Sequence, residues 1–246
     1  MNNIDEVIRL YLDANGLSGL SLKAVLFDMD GVLFDSMPYH VRSWKETAAE
    51  YHLDAEENFY LYEGCTGDYT INLLFRRAFG REATREEILE IYNRKAELFN
   101  QYNQGEVMPG TLEVLAKVKR DGLIPVVVTG SGQHTLLAKL NTAFPDTFAK
   151  GHVVSAYDVT KCKPDPEPYL KGLKVAGVKA NEALVVENAP MGVRAGVAAG
   201  IFTVAVDTGP LPEQVLLDAG ANLVLPSMQN LADNWDVLFR AFLKKQ

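Results

Sequence analysis

The sequence predicts an α/β protein: a mostly parallel sheet flanked by helices, with a small all-helical domain inserted after the first strand. Three observations carry that expectation. Ala24-Val25-Leu26-Phe27 is an unbroken apolar run that stops at Asp28-Met29-Asp30-Gly31, as a strand buried on both faces stops at its C-terminal end. Between residues 36 and 104 there is no strand-like run, only three helical patterns. From residue 106 onward strand and helix patterns alternate, which implies right-handed crossovers into a parallel sheet. The expected division is a core of residues 1–35 plus 105–246 and a helical cap of residues 36–104.

In chain order, Ile4, Val7, Ile8, Tyr11 and Leu12 recur at helical spacing, so residues 4–14 read as an amphipathic helix ended by Gly16 and Gly19. The cap helices are expected over 38–51, with Pro38 in the opening turn, over 69–79, and over 84–102. Thr84-Arg85-Glu86-Glu87 has the capping-box pattern that starts the last of these. Further strands are expected at 125–129, 152–155, 183–187 and 202–206, with a weaker one at 223–225. Helices are expected near 110–120, 132–143, 167–176, 190–199, 211–219 and 228–243. Gly192, Gly196 and Gly200 recur every four residues, which points to close helix packing rather than a binding loop.

Composition bounds the partners. A chain of 246 residues with 48% hydrophobic residues can bury a real core. A net charge of −8 without a long basic run argues against nucleic acid and anionic membranes, but not against a small anionic substrate. The two cysteines, Cys65 and Cys162, form neither a disulfide framework nor a zinc spacing and suit a reducing compartment. Cys162 lies between Lys161 and Lys163, which can lower a thiol pKa, but reads as a loop thiol. The start Met1-Asn2-Asn3-Ile4-Asp5-Glu6 lacks the basic residues of a signal peptide, and no apolar run is long enough to span a bilayer. A cytoplasmic monomer is the expectation.

The polar residues collect at strand ends. Asp28, Thr129 and Glu187 each end an apolar strand, and Lys163 follows another in a short proline-bounded loop, Lys163-Pro164-Asp165-Pro166. Open parallel sheets bind ligands at that edge. Gly31 permits a sharp turn that brings Asp28 and Asp30 to one pocket. One carboxylate can attack phosphorus and form an aspartyl phosphate, and the other can carry a proton to and from the leaving oxygen. Thr129-Gly130-Ser131-Gly132 can hold phosphate oxygens through a hydroxyl and backbone N–H groups. Lys163 can offset the charge of Asp28 and of a phosphate. In Glu187-Asn188-Ala189-Pro190, the Asn188 amide oxygen can serve a divalent metal, with Glu187 holding a metal-bound water or positioning the loop.

These four motifs, in this order, resemble the haloacid dehalogenase superfamily of phosphotransferases. Within it, the chain is similar to the beta-phosphoglucomutase-like subfamily, whose Rossmann-like core carries a helical cap after the first strand. The resemblance covers the chain beyond residue 22. It implies Asp28 as nucleophile, Asp30 as general acid and base, and Thr129 and Lys163 as phosphate ligands. It implies Mg²⁺ held by the Asp28 side chain, the Asp30 backbone carbonyl and the position of Asn188. Asp35-Ser36, Tyr39-His40 and Trp44 resemble the hinge and first cap helix, where the matching histidine helps set the state of the general acid.

Two departures bear on the substrate. The metal position usually held by aspartate is Asn188, which loses one charge. The cap loop Glu63-Gly64-Cys65-Thr66-Gly67-Asp68 has Gly67 where the mutase places an arginine for the second phosphate of its sugar substrate. Glu63 can instead approach the metal from the cap and favour a small anion such as inorganic pyrophosphate; a solvated loop carboxylate is the other reading. Lys95, or its neighbour Arg94, can hold the distal phosphate. A Mg²⁺-dependent phosphohydrolase is the leading expectation. A beta-phosphoglucomutase and a non-catalytic phosphate-binding regulator remain open, and a dehalogenase is disfavoured.

Overall fold

The computed structural model describes residues 4–53, 59–132, 134–148 and 151–243. Six parallel strands form one sheet: β1 (Ala24–Phe27), β2 (Ile124–Val128), β3 (Val153–Val154), β4 (Ala183–Glu187), β5 (Phe202–Val206) and β6 (Leu223–Leu225). Their order is β3-β2-β1-β4-β5-β6. The chain therefore winds one way from β1 through β3 and then crosses to the other side of β1. That reversal opens a crevice at the C-terminal ends of the central strands.

The alternation within β1 shows why its run is apolar throughout. Val25 and Phe27 join the cluster under α1 (Ile4–Asn15), α5 (Thr111–Arg120) and α10 (Met228–Leu243). Ala24 and Leu26 join the opposite cluster, which includes Tyr169 and Leu173 of α7 (Glu167–Ala176) and Ala195 of α8 (Pro190–Ala198). Helices α6 (His134–Ala143) and α9 (Glu213–Asp218) complete the core layers. The expected helix over 132–143 begins at His134, and residue 133 lies outside the described residues. Among the described residues no helix is long and apolar enough to cross a membrane.

Close packing explains two of the three regularly spaced glycines. A Cβ on Gly192 would stand 1.6 Å from Glu187 Oε1, and one on Gly196 would stand 2.6 Å from Thr203 Oγ1. Gly200 is different: its φ of +73° makes the left-handed turn after α8, and a Cβ there would meet nothing closer than 3.8 Å. Gly196→Ala should therefore destabilise the fold by about 1–3 kcal/mol through overpacking against β4 and β5. Urea unfolding measures this; an unchanged midpoint would mean that α8 can move away.

Helices α2 (Met37–Glu50), α3 (Gly67–Phe79) and α4 (Arg85–Tyr102) lie between β1 and α5 and own a separate apolar cluster of Trp44, Phe59, Ile71, Leu74, Phe75 and Ile91. Thr84 Oγ1 accepts from Glu87 N at 3.2 Å while Glu87 Oε2 accepts from Thr84 N at 2.7 Å, completing the capping box. Helix α3 starts earlier than residue 69 because Thr66 caps it, accepting from Tyr69 N. A 3₁₀ turn at Phe59–Tyr62, not anticipated from periodicity, swings the Glu63 loop towards the sheet edge.

Candidate active site

Strand register assembles the site. Phe27 pairs with Val127 on one side and Val186 on the other, so Asp28 emerges beside Val128 and Glu187. Asp28 N donates to Val186 O at 2.9 Å, and Thr129 N donates to Val154 O at 2.8 Å, so both chains stay paired up to the polar residue. Gly31 then turns with φ +83°, and its carbonyl accepts from Thr208 Oγ1 at 2.7 Å. A Cβ on Gly31 would stand 2.0 Å from Asn188 Nδ2, so only glycine lets the two loops meet.

Lys163 is fully buried and joins three strands. Its Nζ donates to Asp28 Oδ1 at 2.6 Å, Glu187 Oε1 at 2.7 Å and Val128 O at 3.0 Å. An ammonium has three N–H groups, and all three are engaged. Its pull on a phosphoryl oxygen is therefore that of an adjacent charge rather than a spare hydrogen bond. Burial opposes the charge, but Asp28 and Glu187 outweigh it and push the ammonium pKa above its ordinary value.

Glu187 is used up in the same way. Oε1 accepts from Lys163 and from Tyr169 Oη at 2.9 Å; Oε2 accepts from the backbone N–H groups of Asn188 and Ala189 at 2.9 and 3.1 Å. Four donors fill a carboxylate's lone pairs, so of the two roles expected for Glu187, holding a metal-bound water or positioning the loop, this arrangement favours the second: it positions Lys163 and the Asn188 loop.

Asp30 carries a second network. Its Oδ1 accepts from Ser36 Oγ at 2.5 Å and faces His40 Nε2 at 3.1 Å, while His40 Nδ1 faces Lys95 Nζ at 2.6 Å. A lysine ammonium only donates, so Nδ1 is the acceptor and Nε2–H points at Asp30. Burial raises the Asp30 pKa, but His40, Ser36 and Lys95 together hold it below its ordinary value. Burial and the adjacent Lys95 lower that of His40, and burial brings Lys95 down to about 7. Lys95 lies over the rings of Trp44 and Phe99, 2% exposed. Arg94 points away: it grips Glu50 through Nε and Nη2 at 2.7 Å, so of the two cap-helix cations only Lys95 lines the pocket.

The residues fit a divalent cation. Asn188 Oδ1 is buried without a hydrogen-bond partner among the described residues, on the amide that meets Glu63. Asn188 Nδ2 donates to Glu63 Oε1 at 2.8 Å, so Glu63 is not a solvated loop carboxylate but 8% exposed and inside the site. Burial pushes the Glu63 carboxyl well up, and Asp28, Glu187 and Asp30 add to it against the Asn188 bond. Burial likewise raises Asp28 against the pull of Lys163. Four buried carboxylates, Asp28, Asp30, Glu63 and Glu187, share two buried lysines, Lys163 beside Asp28 and Glu187 and Lys95 near Asp30, an excess of negative charge that a cation would relieve.

With the cap seated, the pocket is a cavity of about 70 Å³ with Asp28, Asp30, Glu63, Lys95, Thr129, Gly130 and Ser131 in its wall. Thr129 Oγ1 accepts from Ser131 N at 2.9 Å, which folds the Thr129–Ser131 turn. Two contributors were not anticipated. Tyr169 sits a turn into α7 with no motif around it. Tyr92 precedes Lys95 by one helical turn, a spacing that puts both on one face of α4. A Cβ on Gly67 would stand 2.3 Å from the Tyr92 ring, so the ring packs directly on the backbone of Gly67.

Comparison with known proteins gives the family and supports the fold. The family model described as haloacid dehalogenase-like hydrolase matches residues 22–200. A solved structure, "Putative beta-phosphoglucomutase from Bacteroides vulgatus", is 53% identical, covers 98% of both chains and superposes with a TM-score of 0.94. Hexitol phosphatase A of Escherichia coli is 29% identical over 230 residues, 89% of this chain and 99% of that protein. Protein SUPPRESSOR OF QUENCHING 1 of Arabidopsis thaliana is 30% identical over 223 residues, 88% of this chain, which spans only 21% of that longer protein. The chain is thus an enzyme that belongs to the haloacid dehalogenase-like hydrolase family.

Proposed function

We propose that this enzyme is a Mg²⁺-dependent phosphohydrolase that works through an aspartyl phosphate on Asp28 and that its substrate is inorganic pyrophosphate. The observation that carries the substrate is Glu63: the cap delivers a carboxylate, not an arginine, to hydrogen-bond distance of Asn188. Asp28, the Asp30 carbonyl, Asn188 Oδ1 and Glu63 would hold Mg²⁺, which supplies charge neutralisation at the phosphoryl oxygens and the leaving group. The small cavity and the Tyr92 ring suit a compact anion better than a hexose.

The chain's own residues account for the rest. Substrate enters with the cap raised, and closure excludes water and brings His40, Glu63 and Lys95 onto the core groups. Thr129, Gly130 and Ser131 seat the phosphoryl oxygens, and Lys163 orients Asp28 and offsets its charge. Asp28 Oδ attacks in line as Asp30 passes a proton to the leaving oxygen. Because His40, Ser36 and Lys95 hold Asp30 ionised in the substrate-free site, it must first take that proton up, from the substrate or from solvent, as substrate binds. Asp30 then takes a proton from water, which releases phosphate from Asp28. Ser36 and the His40–Lys95 pair fix Asp30 in position.

The test is phosphate release with Mg²⁺ from pyrophosphate, hexose phosphates, short-chain phosphate esters and p-nitrophenyl phosphate. A kcat/KM for pyrophosphate more than about a hundredfold above the others is expected, about 2.7 kcal/mol of transition-state discrimination. Glu63→Ala should remove that preference and leave a weak general phosphatase. Flat rates on every ester would overturn the pyrophosphate reading. Interconversion of hexose 1- and 6-phosphates with a bisphosphate activator would replace it by the mutase.

A further inference from the structure

Two free thiols meet across the seam between cap and core. Cys65 lies in the Glu63 loop of the cap and Cys162 in the Lys163 loop of the core. Cys65 Sγ is 3.1 Å from the Lys163 carbonyl, to which it donates, and the two thiols are within hydrogen-bonding reach of each other. The backbone N–H and hydroxyl of Thr66 also reach the Cys162 sulfur. The Cys65 hydrogen bond, with those from Thr66, outweighs burial and brings the Cys162 thiol down to about 6, while the same bond and burial hold Cys65 up. The flanking lysines are engaged elsewhere: Lys163 with Asp28 and Glu187, Lys161 with Asp165 at 3.3 Å. Cys162 also lines an open groove with Thr66, Tyr69 and Pro164 and is half-buried.

The seam is already tight here. A Cβ on Gly130 would stand 2.3 Å from Gly64 O, and one on Gly64 would stand 3.1 Å from Lys163 Cδ. The cap loop therefore rests directly on the Thr129–Ser131 turn and on Lys163.

We propose that Cys65 and Cys162 are an oxidation site at which a peroxide forms a disulfide that staples the cap onto the core and shuts the catalytic cleft. The Cys162 thiolate attacks one peroxide oxygen, the O–O bond breaks, and the departing hydroxide takes a proton to become water, leaving a sulfenic acid. Cys65 sulfur then attacks the Cys162 sulfur, and its proton leaves with the hydroxyl as a second water. Two thiols and one hydrogen peroxide become one disulfide and two waters, two electrons passing from sulfur to oxygen. A thiol reductant reverses the change, as expected of a bond formed in a reducing compartment. The staple itself is independent of the proposed reaction; the loss of turnover rests on it, because that reaction needs the cap to open.

The experiment treats the intact protein with hydrogen peroxide, alkylates the remaining thiols, and searches the digest for a Cys65–Cys162 linked peptide. Hydrogen exchange over residues 63–67 and 129–132 and phosphate release are followed in parallel. The linked peptide, slowed exchange on both sides of the seam, and at least about tenfold lower turnover restored by dithiothreitol are expected. Cys162→Ser should keep its basal turnover and ignore peroxide. Oxidation to stable sulfinic acid without a linked peptide overturns the proposal. So does a linked peptide with unchanged exchange or unchanged turnover. If the reduced protein releases no phosphate from any substrate, the phosphohydrolase reading fails, while the linked peptide and the exchange data still decide the staple.

Discussion

Asp28→Asn should lower kcat by at least about 10⁴-fold while the protein stays folded. The side chains are nearly the same size, and the amide oxygen can still accept the Lys163 bond that Asp28 Oδ1 takes at 2.6 Å. Lys163 also keeps Glu187 and the Val128 carbonyl, so the buried ammonium is not stranded. What disappears is the anionic oxygen that attacks phosphorus, and no neighbour replaces it. Asp30 is held by Ser36 and His40, Glu63 by Asn188, and Glu187 has no free lone pair. A drop of this size corresponds to at least about 5.5 kcal/mol of lost transition-state stabilisation. Since the proposed function also gives Asp28 a part in holding the cation, acid quenching during turnover supplies the second reading: a phosphoryl adduct on the Asp28 peptide in the wild type and none in the variant. Retained turnover in a folded variant would end the nucleophile assignment.

Lys163→Met should have the largest effect on the fold itself. Lys163 is the only cation hydrogen-bonded to Asp28 and Glu187 among the described residues, and all three side chains are 4% exposed or less. Removing one partner of a buried ionic cluster leaves charge without compensation, which costs about 3–5 kcal/mol. Glu187 would retain Tyr169 Oη and two backbone N–H groups, so most of the deficit falls on Asp28. The sign of the pH response follows. With the ammonium gone, the folded-state pKa of Asp28 rises further above its unfolded value, so the folded state binds more protons. The deficit should therefore shrink as pH falls and grow as pH rises. Denaturant unfolding at several pH values measures both magnitude and slope. A variant as stable as the wild type at every pH would mean that the cluster adds nothing to folding.

Much of this molecule is legible in one dimension. Ala24–Phe27 is apolar at every position because helices cover both faces of the sheet, and that pattern is visible without coordinates. The capping box at Thr84 and Glu87 and the punctuation at Gly31 are local effects, decided by a few backbone dihedrals and side chains close in sequence. The positions of Asp28, Thr129 and Glu187 at strand ends follow from the same periodicity, since parallel strands align their C-terminal ends on one edge.

The remainder depended on contacts between residues far apart in the chain. Periodicity puts Lys95 and Arg94 on one cap helix but does not say which of them turns inward, or that the Lys95 amine meets His40 Nδ1, 55 positions away. It marks Glu187 as a strand-end carboxylate but cannot count the donors that Lys163 and Tyr169 bring from another loop and helix. Nor does it seat Glu63 against Asn188, 125 positions away, or set the Cys65 thiol against the Lys163 loop. The sequence alone determined the α/β class, the inserted cap and which residue types stand at the sheet edge, because those rest on hydrophobic periodicity and short-range backbone geometry. Only the tertiary structure decided which lone pairs are spent, which buried oxygen among the described residues is left without a partner and what the cap presses onto the core. Those outcomes depend on distances of a few ångströms between segments that the chain order leaves unrelated.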